Sequence, residues 1–330
     1  MNTNFSYLVG KNMSNTIMCK ENLMKNKLKT AITFIIYNRP DKTKIIFESI
    51  KQIQPDKLFL IADGPNQNRS NDQEKCAAVR KIIEEINWPC EVYKNYAETN
   101  MGCKKRVVTG LNWVFEYVED TIILEDDCLP DPSFYLYCQE LLDYYRNNER
   151  VMIISGNNFQ NGKRRGSGSY FFSRIAHIWG WATWKRAWKY YDVDMKSFPS
   201  FCEQNTIANV FRQKKMQTHW MSLFKNSIAT QIDTWDYQLL FMLWANNGIS
   251  ITPQVNLVRN IGFGPDALHT KNENSVLSKL QTHSLKIPLV HSNKPEVNEK
   301  ADLYTFNRVF SVNLFRRILN KLRNYLLNQH

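Results

Sequence analysis

No C-x-x-C pair occurs among the seven cysteines of this chain, Cys19, Cys76, Cys90, Cys103, Cys128, Cys138 and Cys202. An odd count without paired spacing argues against a disulfide framework or a zinc site and fits a reducing cytosol. No apolar run approaches the length of a membrane span, about 20 residues. The Asn-rich N-terminus has no apolar secretory core, and no internal repeat is present. These absences point to the cytoplasm, with a peripheral seat on the inner membrane face left open. Acidic residues are in deficit: Asp plus Glu number 31 against 43 Lys plus Arg, a net charge of +12. That excess predicts an anionic partner, whether nucleotide, anionic glycan, nucleic acid or acidic membrane surface. No recognised nucleic-acid motif appears, so nucleic acid is not the expected partner.

What is present is enough apolar material for a real core, with 43% hydrophobic and 13% aromatic residues in 330. The chemistry centres on Thr121-Ile122-Ile123-Leu124-Glu125-Asp126-Asp127-Cys128-Leu129-Pro130. An apolar run bounded by breakers reads as a buried strand of a parallel sheet. Carboxylates at its carboxyl end face the crevice where open α/β sheets bind ligands. Three adjacent acids repel one another, so a cation or hydrogen-bond donors must hold them ionised together. Their hard oxygens suit Mn²⁺ or Mg²⁺, which would most simply hold a diphosphate. The bland alternative is a solvated acidic turn.

The flanking chain alternates strand and helix. Residues 1–29 read as a loose extension. Strands are expected over 31–37, 58–62, 91–95 and 121–124, with helices between them. This rhythm means an α/β fold with a mostly parallel central sheet and right-handed crossovers. Residues 133–145 read as a further helix and 151–155 as a strand. A helix from about Tyr237 and a strand over 249–252 follow. Residues 291–330 form a C-terminal extension ending in a basic amphipathic helix. In that helix Val312, Phe315, Ile318, Leu319, Leu322, Leu326 and Leu327 interleave with Arg316, Arg317, Lys321 and Arg323. Such a helix can lie on an anionic membrane or dock on the domain.

Further candidates lie beside the acids. Asn38 and Arg39 follow the first strand and Asp63 the second, so all sit on the same sheet edge. Asp63 suits a base or ribose, or simply the turn before Gly64-Pro65; Arg39 suits a base or phosphate. Lys105 and Arg106 stand in the first turn of a helix after Gly102, where cations oppose the helix dipole and a phosphate would suit both. The alternative is a solvated basic face. The run Trp179-Gly180-Trp181-Ala182-Thr183-Trp184 fits either core packing or a sugar platform, with Trp181 as the acceptor-side candidate. Asp233 and Asp236 bracket Trp235 at a helix start; one is enough for a cap, and the other is left as a base. Trp235 can wall off water and hold a sugar ring. Gly262-Phe263-Gly264 permits a close backbone approach to a ligand, and His269 is either a metal or phosphate ligand or a plain loop histidine.

Together these motifs, in this order, resemble a GT-A glycosyltransferase. The Glu-Asp-Asp triplet is similar to that of the N-acetylglucosaminyltransferase I type. The span from Ala31 to His269, with Trp-Gly-Trp-Ala-Thr-Trp, Asp-x-Trp-Asp and Asn-Ile-Gly-Phe-Gly, resembles bacterial nucleotide-diphospho-sugar transferases, some of them called haemolytic-protein-like. The resemblance implies a GT-A domain over residues 30–290. It implies that Asp127 binds Mn²⁺, that Glu125 and Asp126 contact donor sugar and ribose, and that Arg39 and Asp63 recognise the nucleotide. Arg106 stands where the eukaryotic enzymes carry His. Asp236 matches the base of inverting enzymes, with Asp233 as its rival. The partners so implied are a nucleotide-diphospho-sugar donor and a glycan or glycolipid acceptor of surface polysaccharide biosynthesis. A sugar-1-phosphate nucleotidyltransferase shares the architecture but needs a Gly-rich turn after the first strand, where this chain reads Tyr-Asn-Arg-Pro. A non-catalytic nucleic-acid-binding protein is the third reading.

Overall fold

The computed structural model describes residues 28–230, 232–264, 277–292 and 294–311. His269, most of the N-terminal extension and the amphipathic segment from Val312 onward lie outside the described residues. The first half follows the sequence closely. Strands β1 (Ala31–Ile36), β2 (Lys57–Ala62), β3 (Glu91–Tyr96) and β4 (Asp120–Glu125) alternate with helices α1 (Pro40–Ile53), α2 (Asp72–Ile82) and α3 (Cys103–Tyr117). All four strands pair in parallel, β3 on β2, β2 on β1 and β1 on β4.

In β1 the side chains alternate between two cores. Ile32, Phe34 and Ile36 enter one, while Ala31 and Ile35 enter the other. The polar Thr33 is tolerated because its hydroxyl meets that of Thr121 on β4 at 2.9 Å. Helices α1, α2 and α4 (Ser133–Tyr144) cover the first face. Helix α3 and the helices of the second half cover the other.

The second half is less regular. It extends the sheet to eight strands in the order β3-β2-β1-β4-β8-β6-β9-β7. Strands β6 (Val151–Ser155) and β9 (Ile249–Pro253) pair in parallel. Strand β8 (Trp181–Trp184) is wedged antiparallel between β4 and β6, and β7 (Tyr170–Ser173) runs antiparallel to β9. The sheet is therefore mostly, not wholly, parallel. A separate ribbon pairs β5 (Cys128–Pro130) with β10 (Val258–Asn260), directly after the acids.

The remaining helices are α5 (Lys185–Trp188), α6 (Phe198–Glu203), α7 (Thr206–Val210), α8 (Lys214–Thr230), α9 (Asp236–Ala245) and α10 (Glu299–Thr305). Helix α10 starts on Asn298, whose side chain accepts from the Ala301 amide at 2.9 Å. Its Asp302 then accepts from Ser173 Oγ at 2.6 Å and the Arg174 amide at 3.1 Å. Residues 297–305 thus dock on the edge strand β7, which Val297 also bridges at Phe172. No helix among the described residues is long and apolar enough to cross a membrane.

Candidate active site

A cavity of about 450 Å³ opens at the carboxyl ends of β1, β2 and β4. Parallel pairing puts Tyr37, Asp63 and Glu125 at the same edge because each follows or ends one of these three strands. Glu125, Asp126 and Asp127 line it, as do Asp233, Trp235 and Asp236.

The cation the acids require is Arg39. Its Nη1 lies 2.8 Å from Asp127 Oδ2 and 3.5 Å from Asp126 Oδ1. Asp126 also accepts from the Tyr37 amide at 3.2 Å. One guanidinium does not balance three carboxylates. Burial, reinforced by the neighbouring acids, holds Glu125 above the usual carboxylate range. Burial likewise raises Asp126, with Arg39 opposing it. Burial alone would lower Arg39, but Asp126 and Asp127 outweigh it and keep the guanidinium charged. Arg39 thus serves the acids rather than standing free to stack on a base.

Asp127 is fixed from behind as well. The Ile261 amide donates to its carbonyl at 2.8 Å, an extension of the β5–β10 ribbon. A Cβ on Gly262 would stand 2.1 Å from Asp127 Oδ2. The close approach expected of the Gly262-Phe263-Gly264 segment is therefore made to the Asp127 side chain. Its signal in the sequence was the glycine; the partner was hidden because pairing with β5 was not expected.

Asp63 is buried at 5% exposure, and its carboxylate is engaged by the protein itself. Oδ1 accepts from the Gly64 and Met101 amides at 2.8 and 2.9 Å, and Oδ2 from Asn100 Nδ2 at 2.9 Å. The arrangement knits the end of β2 to the entry of α3 while Asp63 still lines the cavity. Burial raises its carboxyl despite these donors. Arg106 is buried too, and its Nη2 donates to Asn95 O at 2.6 Å and Asn95 Oδ1 at 2.7 Å.

Three expectations need correction. The N-terminus of α3 does not await a phosphate, because Asp233 caps it across the chain. The Cys103 and Lys104 amides donate to Asp233 at 3.0 and 2.8 Å. Gly102, with φ of +82°, leaves just enough room for that carboxylate. Asp233 therefore caps α3, not α9. Lys105 is exposed and lies outside the cavity wall, as does Asn38, which donates to Asp72. Trp181 is fully buried in the middle of the sheet, stacked on Trp235 at 5.4 Å between centroids, so it cannot touch an acceptor directly. From the same run it is Trp179, half-buried beside Phe159, that lines the cavity.

Asp236 sits at the first position of α9, preceded by Trp235, and accepts from the Thr234 hydroxyl. It is close enough to Glu125 to raise that carboxyl further. Sequence reading missed several other wall residues: Tyr37, Arg69, Asn100, Cys103, Asn157, Phe159 and His177. Burial pushes His177 down to about 3, so the imidazole is neutral at physiological pH. Its position between β7 and β8 could not be read because neither strand was expected.

Among the described residues no group of three or more His, Cys, Asp and Glu is arranged to hold a metal by itself. The donor set fits a different kind of site. Hard carboxylates with excess negative charge at one strand end suit an ion that takes one or two protein ligands and completes its shell with phosphate oxygens and water.

These features define a mixed α/β protein with an acid-tipped, mostly parallel sheet and a deep cavity at its carboxyl edge. No family model matches the chain, and no curated protein matches it. Solved structures similar to it include 4-diphosphocytidyl-2C-methyl-D-erythritol synthase from Anaerococcus prevotii, at TM-score 0.32 and 8% identity, over 67% of this chain and 87% of that one. UDP-glucose pyrophosphorylase complexed with UDP-glucose is similar at TM-score 0.30 and 10% identity, over 49% and 78%. The inositol-1-phosphate CTP transferase from T. maritima follows at 0.27 and 10%, over 49% and 73%. At these values the likeness is one of general layout.

Proposed function

We propose that the protein is a metal-dependent, inverting glycosyltransferase of GT-A type, which moves a sugar from a nucleotide-diphosphate donor to a glycan or glycolipid acceptor. One observation carries the reading: Glu125, Asp126, Asp127 and Asp236 line a single cavity at the carboxyl edge of a parallel sheet. Transfer with inversion needs charge neutralisation on the leaving side and a base on the acceptor side, and the acids at the end of β4 and Asp236 at the start of α9 would divide those roles.

Asp127, with Asp126 beside it, would hold Mn²⁺ or Mg²⁺. Such an ion, when bound, neutralises charge on the departing diphosphate. The remaining roles belong to the chain itself. Arg39 holds the Asp127 carboxylate in place through its Nη1. Asp236 takes the proton from the acceptor hydroxyl. Trp179 and Phe159 offer flat apolar faces for a sugar ring, and Trp235 excludes water beside the base. The turn Tyr37-Asn38-Arg39-Pro40 has no glycine, which disfavours nucleotidyl transfer.

The test is a thermal-shift and turnover screen of nucleotide sugars with and without Mn²⁺, run beside nucleoside triphosphates with sugar 1-phosphates. Stabilisation by a nucleotide sugar only when Mn²⁺ is present supports the proposal, since a bound donor raises apparent stability. Asp127→Ala should abolish that shift and leave the fold intact. Pyrophosphate release from a triphosphate and a sugar 1-phosphate would replace the reading with nucleotidyl transfer. Asp236→Asn should retain donor binding and lose turnover by about 10²–10⁴-fold.

A further inference from the structure

Three arginines line the cavity among the described residues: Arg39, Arg69 and Arg106. Arg39 is committed to Asp126 and Asp127. Arg106 is buried, with its Nη2 donating twice to Asn95. Arg69 differs from both. It is exposed at the rim, and its guanidinium makes no hydrogen bond and no ion pair among the described residues.

Its position is nevertheless built. Asp72, only 2% exposed, gathers the loop that follows β2. It accepts from Tyr37 Oη at 2.6 Å, from the Asn66 amide at 2.6 Å and from Asn38 Nδ2. The Arg69 amide in turn donates to Asn66 O at 3.0 Å. The loop carrying Arg69 is thereby tied to the residues that follow β1, directly beside Arg39 and the acids. Asp72 is the positioning residue of this clasp, and Tyr37 links it to the cavity wall.

Resting on the nucleotide-sugar reading above, we infer that Arg69 is the side chain that grips the donor's diphosphate at the cavity that the acids also line. The charge balance requires a second cation. A metal at Asp127 answers the carboxylates, and the diphosphate brings further negative charge that Arg39 and Arg106 are not free to meet. A guanidinium supplies a planar fork of donors matched to paired phosphate oxygens. An arginine whose guanidinium has no hydrogen bond to any described residue, on a loop gathered by Asp72, is already placed for it.

The experiment is calorimetric titration of UDP, GDP, CDP and ADP, and of the corresponding nucleosides, in Mn²⁺ with wild type, Arg69→Ala and Arg69→Lys. Arg69→Ala should weaken the diphosphate that wild type prefers by about ten- to a hundredfold, the weight of hydrogen bonds to a charged group. Affinity for the parent nucleoside should stay unchanged, and Arg69→Lys should recover part of the loss. The substitution is on the surface, so thermal unfolding should match wild type. Equal diphosphate affinity in Arg69→Ala overturns the inference, as does an equal loss for nucleoside and diphosphate. If no diphosphate binds wild type, the nucleotide-sugar reading itself falls and this assignment falls with it.

Discussion

Asp233 makes a prediction that separates structure from chemistry at two neighbouring acids. Its carboxylate takes two amides of α3 from 130 and 129 residues away, at 3.0 and 2.8 Å. No side chain within α3 or just before it does that work, since the N-cap residue is Gly102. Asp233→Ala therefore strips the cap from a 15-residue helix that packs Val107, Leu111 and Val114 into the core. Loss of a cap costs about 1–2 kcal/mol. The carboxylate is exposed, so the charge on the helix dipole adds only a few tenths more. In a domain of this size such a loss lowers the melting point by about 2–4 °C. Asp233→Asn should lie between, because one amide oxygen can still accept. Urea unfolding of both variants measures the cost. Asp236→Asn, by contrast, should melt with wild type while losing turnover. An Asp233→Ala protein within about 0.3 kcal/mol of wild type, the scale of a neutral surface change, would refute the capping argument.

Two further outcomes follow from single side chains. Burial pushes the Asp302 carboxyl up to about 6. Because the folded value stands above the unfolded one, about 3.9, the folded state holds the proton more tightly. The resulting penalty is absent below about pH 4 and is complete above about pH 6. Wild type should lose about 2–3 kcal/mol from this group between pH 4 and pH 7.5, and Asp302→Asn should not; identical pH slopes in urea unfolding would exclude it. Gly262→Ala places a methyl 2.1 Å from Asp127 Oδ2, which must swing off Arg39. Mn²⁺-dependent nucleoside diphosphate binding should weaken about 10–100-fold, as for loss of a group that orients a ligand, with little change in melting; unaltered binding would show that Asp127 need not stay in place.

The first half of the fold was legible because its signals are local. Each of β1, β2 and β4 is an apolar run closed by a turn, and α1 begins at Pro40 as a helix should. The acids and their sheet edge followed from that alone. The second half was not legible where partners are distant. Strand β8 is hidden in a tryptophan run whose side chains go to both faces: Trp181 to one core, Trp184 to the other. Seen as sequence, that run reads equally as a sugar platform. The role of Asp233 failed for the same reason. A cap normally serves the helix that follows it, and nothing local reveals that the recipient is α3. Arg39 was placed at the right edge, but its pairing with Asp126 and Asp127 depends on β1 and β4 being neighbours.

The small ribbon of β5 and β10 has a consequence for how the protein is made. The parallel pairs among β1 to β4 lie within the first 125 residues, whereas Cys128–Pro130 wait for Val258–Asn260. Closing so long a loop is entropically slow, and contacts of that separation form late. Until they do, Asp127 lacks the Ile261 amide on its carbonyl and Gly262 at its back. A chain emerging from the ribosome thus acquires the four parallel strands of its first half well before this side of its cavity. Partly synthesised copies carry the acids with Arg39 alone to hold them, and the second support of Asp127 arrives only once the distal segment has docked.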